Sequence, residues 1–172
     1  MKMMVSQNYI EKKEKLCKII QSYNSIGQYI YKGNRNSLKT VDFEKQIICI
    51  KAFKKPHLIN KFLYAYVRKS KAKRSYEYAQ LLLSKGIGTP EPIAYFENND
   101  WIGLNESFYV CEYIKVDYTF RDILKLEDIQ KKEKIIRKFV AFTYKLHCAN
   151  VEFIDHSTGN TLIKEMGNDD FS

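Results

Sequence analysis

The sequence predicts an α+β fold: a small antiparallel sheet carrying one main helix, followed by a mostly helical part. Three observations predict it. Short β-prone runs lie between residues 28 and 114, separated by turn signals such as Gly33-Asn34-Arg35-Asn36 and Asn98-Asn99-Asp100. From residue 131 to 149 apolar residues recur at helical spacing. With 172 residues, 45% of them hydrophobic, the chain can bury the core of one domain or somewhat more.

The elements follow in order. Ile10, Leu16, Ile19, Ile20 and Tyr23 predict a leading helix over 7–23, with Ser6 as its cap. Residues 28–32 and 37–43 read as two strands, and Gln46-Ile-Ile-Cys-Ile-Lys-Ala-Phe53 as a third, central one, ended by Pro56. Residues 57–85 read as helix with a break near Ser70, and the loop Gly86-Ile-Gly-Thr-Pro-Glu-Pro92 cannot continue it. Residues 93–97 and 107–114 form a strand pair, and 119–125 a short helix. The clearest helix, 131–149, should present a wide apolar face through Ile135, Ile136, Phe139, Val140, Phe142, Thr143 and Leu146, with Asn150 as a left-handed stop. Thr161–Glu165 reads as a strand and Gly167–Asp169 as its turn, with Asp170 still in the turn.

Composition narrows the function classes. Lys and Arg number 29 against 20 Asp and Glu, a formal charge of +9, which implies an anionic partner. Cys17, Cys49, Cys111 and Cys148 are widely spaced and read as small core residues in a reducing compartment, not as a disulfide framework or zinc site. The first sixteen residues contain no apolar signal-peptide core. No apolar run approaches the roughly 18–20 residues of a membrane span. A cytoplasmic protein, at most peripheral on a membrane face, is expected.

One motif carries chemistry. Asp155-His-Ser-Thr-Gly-Asn160 precedes a short apolar run. This is the spacing at which kinases place an Asp that takes the acceptor hydroxyl proton and an Asn that holds Mg²⁺. By itself the spacing is common. Upstream, Lys51 in Ile-Cys-Ile-Lys stands where a rigid central strand would offer a cation to the α- and β-phosphates. Glu77, in the following helix, is placed to orient it. For each residue alone, a solvated surface role or a local i−4 pair with Lys73 competes. The order of the four favours the kinase-like plan.

The segments Lys51-Ala-Phe-Lys-Lys-Pro56, Arg68-Lys-Ser-Lys-Ala-Lys-Arg-Ser-Tyr-Glu-Tyr-Ala79, Gly86-Ile-Gly-Thr-Pro-Glu-Pro-Ile93 and Asp155-His-Ser-Thr-Gly-Asn-Thr-Leu-Ile163 together resemble the bacterial lipopolysaccharide kinase family, the Kdo and heptose kinases of the inner core. The resemblance runs from about Gly33 to the C-terminus. It implies a protein-kinase-like fold, ATP with Mg²⁺, and phosphoryl transfer to a sugar hydroxyl of a lipid-linked acceptor. Carried over by position, Lys51 binds phosphates, Glu77 orients it, Asp155 is the base and Asn160 a metal ligand. Glu112 and Tyr113 form the hinge that meets adenine. The implied division is a helical extension (1–24), an N-lobe (25–114) and a partial, incomplete helical C-lobe (115–172).

Two departures stand out. Only Gly33 stands where several glycines would let backbone approach phosphate. Asp170-Phe171-Ser172 superficially resembles Asp-Phe-Gly, but with Asp170 in a turn the expectation is a chain stopping mid-hairpin, a fragment or inactive relative lacking a complete metal site.

The stretch from Gln46 to Tyr76 contains no acid and nine Lys or Arg, interleaved with aromatic and aliphatic residues. It suits an anionic membrane surface or phosphorylated acceptor sugars, and equally a solvated helix face. Two alternatives remain: a non-catalytic kinase-like binding module, and a basic nucleic-acid-binding protein. The latter is disfavoured because the aromatics sit at core spacing and no nucleic-acid motif is present.

Overall fold

The structure, a computed structural model, describes residues 1–55, 68–101, 103–152, 161–167 and 170–171. It divides into two compact units, Met1–Tyr113 and Ile114–Ser172.

The first unit is built on a six-stranded antiparallel sheet. Its strands are β1 (Lys2–Val5), β2 (Gln28–Lys32), β3 (Asn36–Phe43), β4 (Gln46–Phe53), β5 (Pro92–Asn99) and β6 (Leu104–Glu112), in the spatial order β1-β5-β6-β4-β3-β2. Five of these match the expected runs. The sixth, β1, was not expected: Lys2–Val5 pairs with β5 in the register Lys2↔Glu97 to Val5↔Ala94 and covers that edge of the sheet.

Both faces of the sheet are covered, by different elements. A 3-10 helix (Gln7–Lys12) leads into α1 (Lys13–Gln21), and Leu16, Ile20 and Tyr23 bury against Val41, Ile48, Ile50, Phe96, Phe108 and Val110. The expected single helix over 7–23 is thus two pieces. Ser6 precedes the first but caps it with no side-chain bond, and its hydroxyl is buried without a partner. Helix α2 (Lys71–Ser84) covers the other face through Ala72, Tyr76 and Ala79, against Cys49, Tyr95, Tyr109 and Cys111. Alternation along β4 explains the division: Ile48 and Ile50 point to one side, Cys49 and its neighbours at period two to the other.

The expected break near Ser70 is a helix start. Ser70 caps α2, its hydroxyl accepting from the Lys73 N–H at 3.0 Å. The rest of the helix expected over 57–85, up to residue 67, lies outside the described residues.

Lys39 is an exception to the apolar interior. It is 2% exposed, and its ammonium donates to the carbonyls of Tyr23 at 2.7 Å and Ile26 at 2.8 Å. It also lies 4.8 and 4.4 Å from the Tyr23 and Tyr29 ring centres. The cation thereby closes the chain that leaves α1 onto the sheet. Gly27 completes this connection with φ 72°, where a Cβ would strike the Thr40 carbonyl.

The second unit contains β7 (Tyr118–Thr119), α3 (Phe120–Ile123), α4 (Ile129–Cys148), β8 (Leu162–Ile163), β9 (Glu165–Gly167) and β10 (Asp170–Phe171). Strand β7 pairs with β8, and β9 with β10. Ile123, Ile135, Ile163 and Phe171 form its core. Helix α4 starts two residues earlier than expected, because Asp128 caps it by accepting from the Lys131 N–H at 3.0 Å. Asn150 has φ 53°, the left-handed stop read from the sequence.

Four expectations are corrected. Asp170 is not in a turn: Asp170–Phe171 is a return strand beside Glu165–Gly167. The strand expected as one piece over Thr161–Glu165 is two, divided at Lys164: Leu162–Ile163 pairs with Tyr118–Thr119, and Glu165–Gly167 with Asp170–Phe171. The buried face of α4 is narrower than expected, since Ile135 and Leu146 are buried while Ile136 and Val140 are exposed. Of the four cysteines, only Cys49 and Cys111 are buried, and Cys148 is exposed.

Candidate functional site

Of the site residues expected in the first unit, Lys51 and Tyr113 lie on the face covered by α2, the helix that bears Glu77. Lys51 lies on β4 between Leu38 of β3 and Tyr109 of β6 in the sheet register. It shares its side of the strand with Cys49 and Phe53, both of the α2-side cluster. Lys51 is half-buried, with its ammonium 5.5 Å from the Phe53 ring centre. The cation is therefore held by a central strand against aromatic surface.

Across the sheet, Tyr109 of β6 stands opposite Lys51 on one side and opposite Tyr95 of β5 on the other. Tyr95 meets Tyr76 of α2 edge-on, with ring centres 5.6 Å apart. Glu77 follows Tyr76 on α2, and its charge is felt at Tyr95, whose pKa is raised by burial first and by Glu97 and Glu77 next. Burial also raises the pKa of Tyr109, with Cys111 adding to it. These phenols stay protonated at neutral pH and act as hydrogen-bonding, apolar walls. No sequence pattern singled them out beyond strand alternation, which places Tyr95 and Tyr109 on the same face as Lys51.

The carboxylate of Glu77 meets Lys69, Nζ–Oε2 2.8 Å. This is neither Lys73, the local alternative weighed from the sequence, nor Lys51. Lys69 precedes the Ser70 cap, so the ion pair ties the start of α2 to its second turn. Both groups are a third or more exposed, so the pair contributes at most about 1 kcal/mol.

Glu112 and Tyr113 end the first unit where β6 runs out. Their N–H groups are engaged within the unit: Glu112 donates to the Glu91 carbonyl at 2.9 Å and Tyr113 to the Ile47 carbonyl at 3.2 Å. The Tyr113 side chain packs against the α2-side cluster.

Gly33 lies in the β2–β3 connection, its N–H donating to the Asn36 carbonyl at 3.0 Å. A Cβ there would meet the Tyr31 ring, so this glycine makes room for an exposed aromatic and is not required by a left-handed backbone.

Asp155 and Asn160, expected to form the catalytic loop with His156, lie outside the described residues. Among the described residues no group of three or more His, Cys, Asp or Glu side chains stands together to hold a metal. Among them, too, no helix is long and apolar enough to cross a membrane.

No family model matches the sequence, and no curated protein matches it significantly. A solved structure does. The chain is similar in fold to WaaP. The match, to WaaP in complex with acyl carrier protein, covers 100% of this chain and 68% of that one, at a TM-score of 0.61 and 16% sequence identity. At that identity the likeness speaks for the fold alone: a mixed α/β arrangement with a six-stranded antiparallel sheet.

Proposed function

We propose that this chain is a kinase-like nucleotide-binding and phosphoryl-transfer module that uses ATP with Mg²⁺ and acts on a sugar hydroxyl of a lipid-linked, lipopolysaccharide-type acceptor. The observation that carries the reading is Lys51: a half-buried cation on a central strand, on the side of the sheet covered by the helix bearing Glu77, in a fold similar to that of WaaP. The likeness in fold to WaaP stands beside the family resemblance of the motifs around Lys51, Glu77 and Asp155.

In this reading Lys51 neutralises phosphate charge, because a point cation on a rigid strand needs no reorganisation when the anion arrives. Glu77 orients it once drawn from Lys69. The segment ending at Glu112 and Tyr113 meets the base. Asp155 accepts the acceptor hydroxyl proton. Asn160 would hold Mg²⁺, which supplies charge neutralisation on the phosphates when bound. The basic residues Arg68, Lys69, Lys71, Lys73 and Arg74 face the acceptor phosphates or an anionic membrane surface, consistent with a peripheral cytoplasmic protein.

The test is phosphoryl transfer from ATP to lipopolysaccharide inner-core acceptors. Asp155→Ala should lower turnover about 10²–10⁴-fold with ATP affinity nearly unchanged. A second reading, a binding module without transfer, is favoured by the Glu77–Lys69 pairing, which leaves the orienting carboxylate engaged elsewhere. ATP binding that depends on Lys51, with no transfer to any acceptor, would select that second reading.

A further inference from the structure

Cys49 and Cys111 stand directly opposite each other on the adjacent antiparallel strands β4 and β6. The nearby bond from the Tyr113 N–H to the Ile47 carbonyl marks a hydrogen-bonded position of this ladder. Two residues further along, Cys49 and Cys111 occupy the next such position, where Cα atoms sit about 5.5 Å apart. Disulfides span roughly 4.4–6.8 Å between Cα atoms. Both side chains belong to the α2-side cluster, and both are 8% exposed. The other cysteines are placed differently: Cys17 donates to the Met3 sulfur at 3.6 Å, and Cys148 is exposed on α4.

We propose that Cys49 and Cys111 form an oxidative modification site, which a peroxide-class oxidant converts into an intrachain disulfide joining β4 to β6. Apolar burial alone would leave such thiols inert. Here the facing Cys111 thiol, aided by Lys51 two residues along the strand, holds the Cys49 thiol below its ordinary range in spite of burial. Cys111 is raised by the facing Cys49 and by burial. The pair therefore releases its first proton from Cys49 and retains the second on Cys111. The Cys49 thiolate attacks a peroxide oxygen. The O–O bond breaks, Cys49 becomes a sulfenic acid, and the departing oxygen leaves as hydroxide or alkoxide and takes a proton. The Cys111 sulfur then attacks the Cys49 sulfur. Its proton and the sulfenic hydroxyl leave as water, so two thiols lose two electrons to one peroxide.

The experiment uses the full chain, reduced, treated with hydrogen peroxide, alkylated and digested without reduction for mass mapping. The expected product is a peptide pair joined through Cys49 and Cys111, two hydrogens lighter than the sum of its parts, recovered from protein with native circular dichroism and reversed by dithiothreitol. Cys49→Ala and Cys111→Ala should each eliminate it. Recovery of Cys49 and Cys111 as unoxidised thiols after Cys148 has been oxidised would overturn the proposal. So would linkage of either cysteine to Cys17 or Cys148 in its place. The map is read on the parent chain without nucleotide, so its outcome and that of the phosphoryl-transfer test are independent.

Discussion

Glu77 and Lys69 are joined by a 2.8 Å ion pair across the start of α2. The carboxylate expected to orient Lys51 thus has a cation of its own, on the edge of the helix-covered face where Lys51 lies. If nucleotide binding transfers Glu77 from Lys69 to Lys51, the three residues should respond differently. Lys51→Ala should weaken ATP binding about 10–100-fold, the value of a charge-assisted bond of roughly 1.5–3 kcal/mol. Glu77→Gln should weaken it less. Lys69→Ala should leave it unchanged or tighten it, by releasing Glu77. Titration calorimetry with ATP decides this, and equal losses for Lys51→Ala and Lys69→Ala would rule out the exchange.

The basic run at the start of α2 makes a separate prediction. Lys69, Lys71, Lys73 and Arg74 lie within one helical turn of the Ser70 cap, and each basic group near an anionic bilayer is worth about 1 kcal/mol. The chain should sediment with phosphatidylserine vesicles at low salt and lose that binding as salt rises. Changing all four to Gln should abolish most of it. Tighter salt-sensitive binding to random single-stranded RNA than to vesicles would favour the nucleic-acid alternative.

Lys39 should matter for stability and not for ligand binding. Lys39→Met keeps the length but strips the donor from the buried carbonyl of Tyr23 and the partly buried one of Ile26. Each orphaned group costs about 1–3 kcal/mol, so a loss of roughly 2–6 kcal/mol is expected in urea unfolding. A change below about 0.5 kcal/mol, the scale of an ordinary surface substitution, would show that the cage is not needed.

Glu44 carries a pH signature. It sits between Lys12 and Lys15, at 2.8 and 2.7 Å. Their hydrogen bonds push its carboxyl from 4.5 down to about 2. A depressed pKa gives stability that is fully present above the unfolded value and is lost as pH falls through the folded one. Glu44→Gln should therefore be less stable than the parent at neutral pH, with the gap closing between pH 4.5 and about 2. Because the pairs lie at the surface, the gap should be small and shrink with salt. A gap that persists unchanged to pH 2 would assign it to the turn backbone, where Glu44 has φ 58°.

Five of the six sheet strands, the left-handed stop at Asn150 and the Ser70 boundary were legible in the sequence, because each rests on local chemistry: side-chain alternation, helical period, turn residues and capping. Lys51 and Glu77 were legible as candidates for the same reason, since a cation in a β-branched run and an acid on an amphipathic helix are local patterns. The partner of Glu77 was not, because the choice between Lys51, Lys69 and Lys73 depends on how α2 lies on the sheet. Nor was β1: Lys2–Val5 is a strand only because β5 offers it an edge. Asp170–Phe171 likewise depends on pairing with Glu165–Gly167, and two-residue strands have no periodicity to read. Lys39 and the Cys49–Cys111 pair show the same division most clearly. One is a lysine in a strand and the others two cysteines 62 positions apart in the chain. Only the register of β3, β4 and β6 and the cover of α1 and α2 make the first a buried cap and the others neighbours, because burial and cross-strand contact are properties of the assembled sheet.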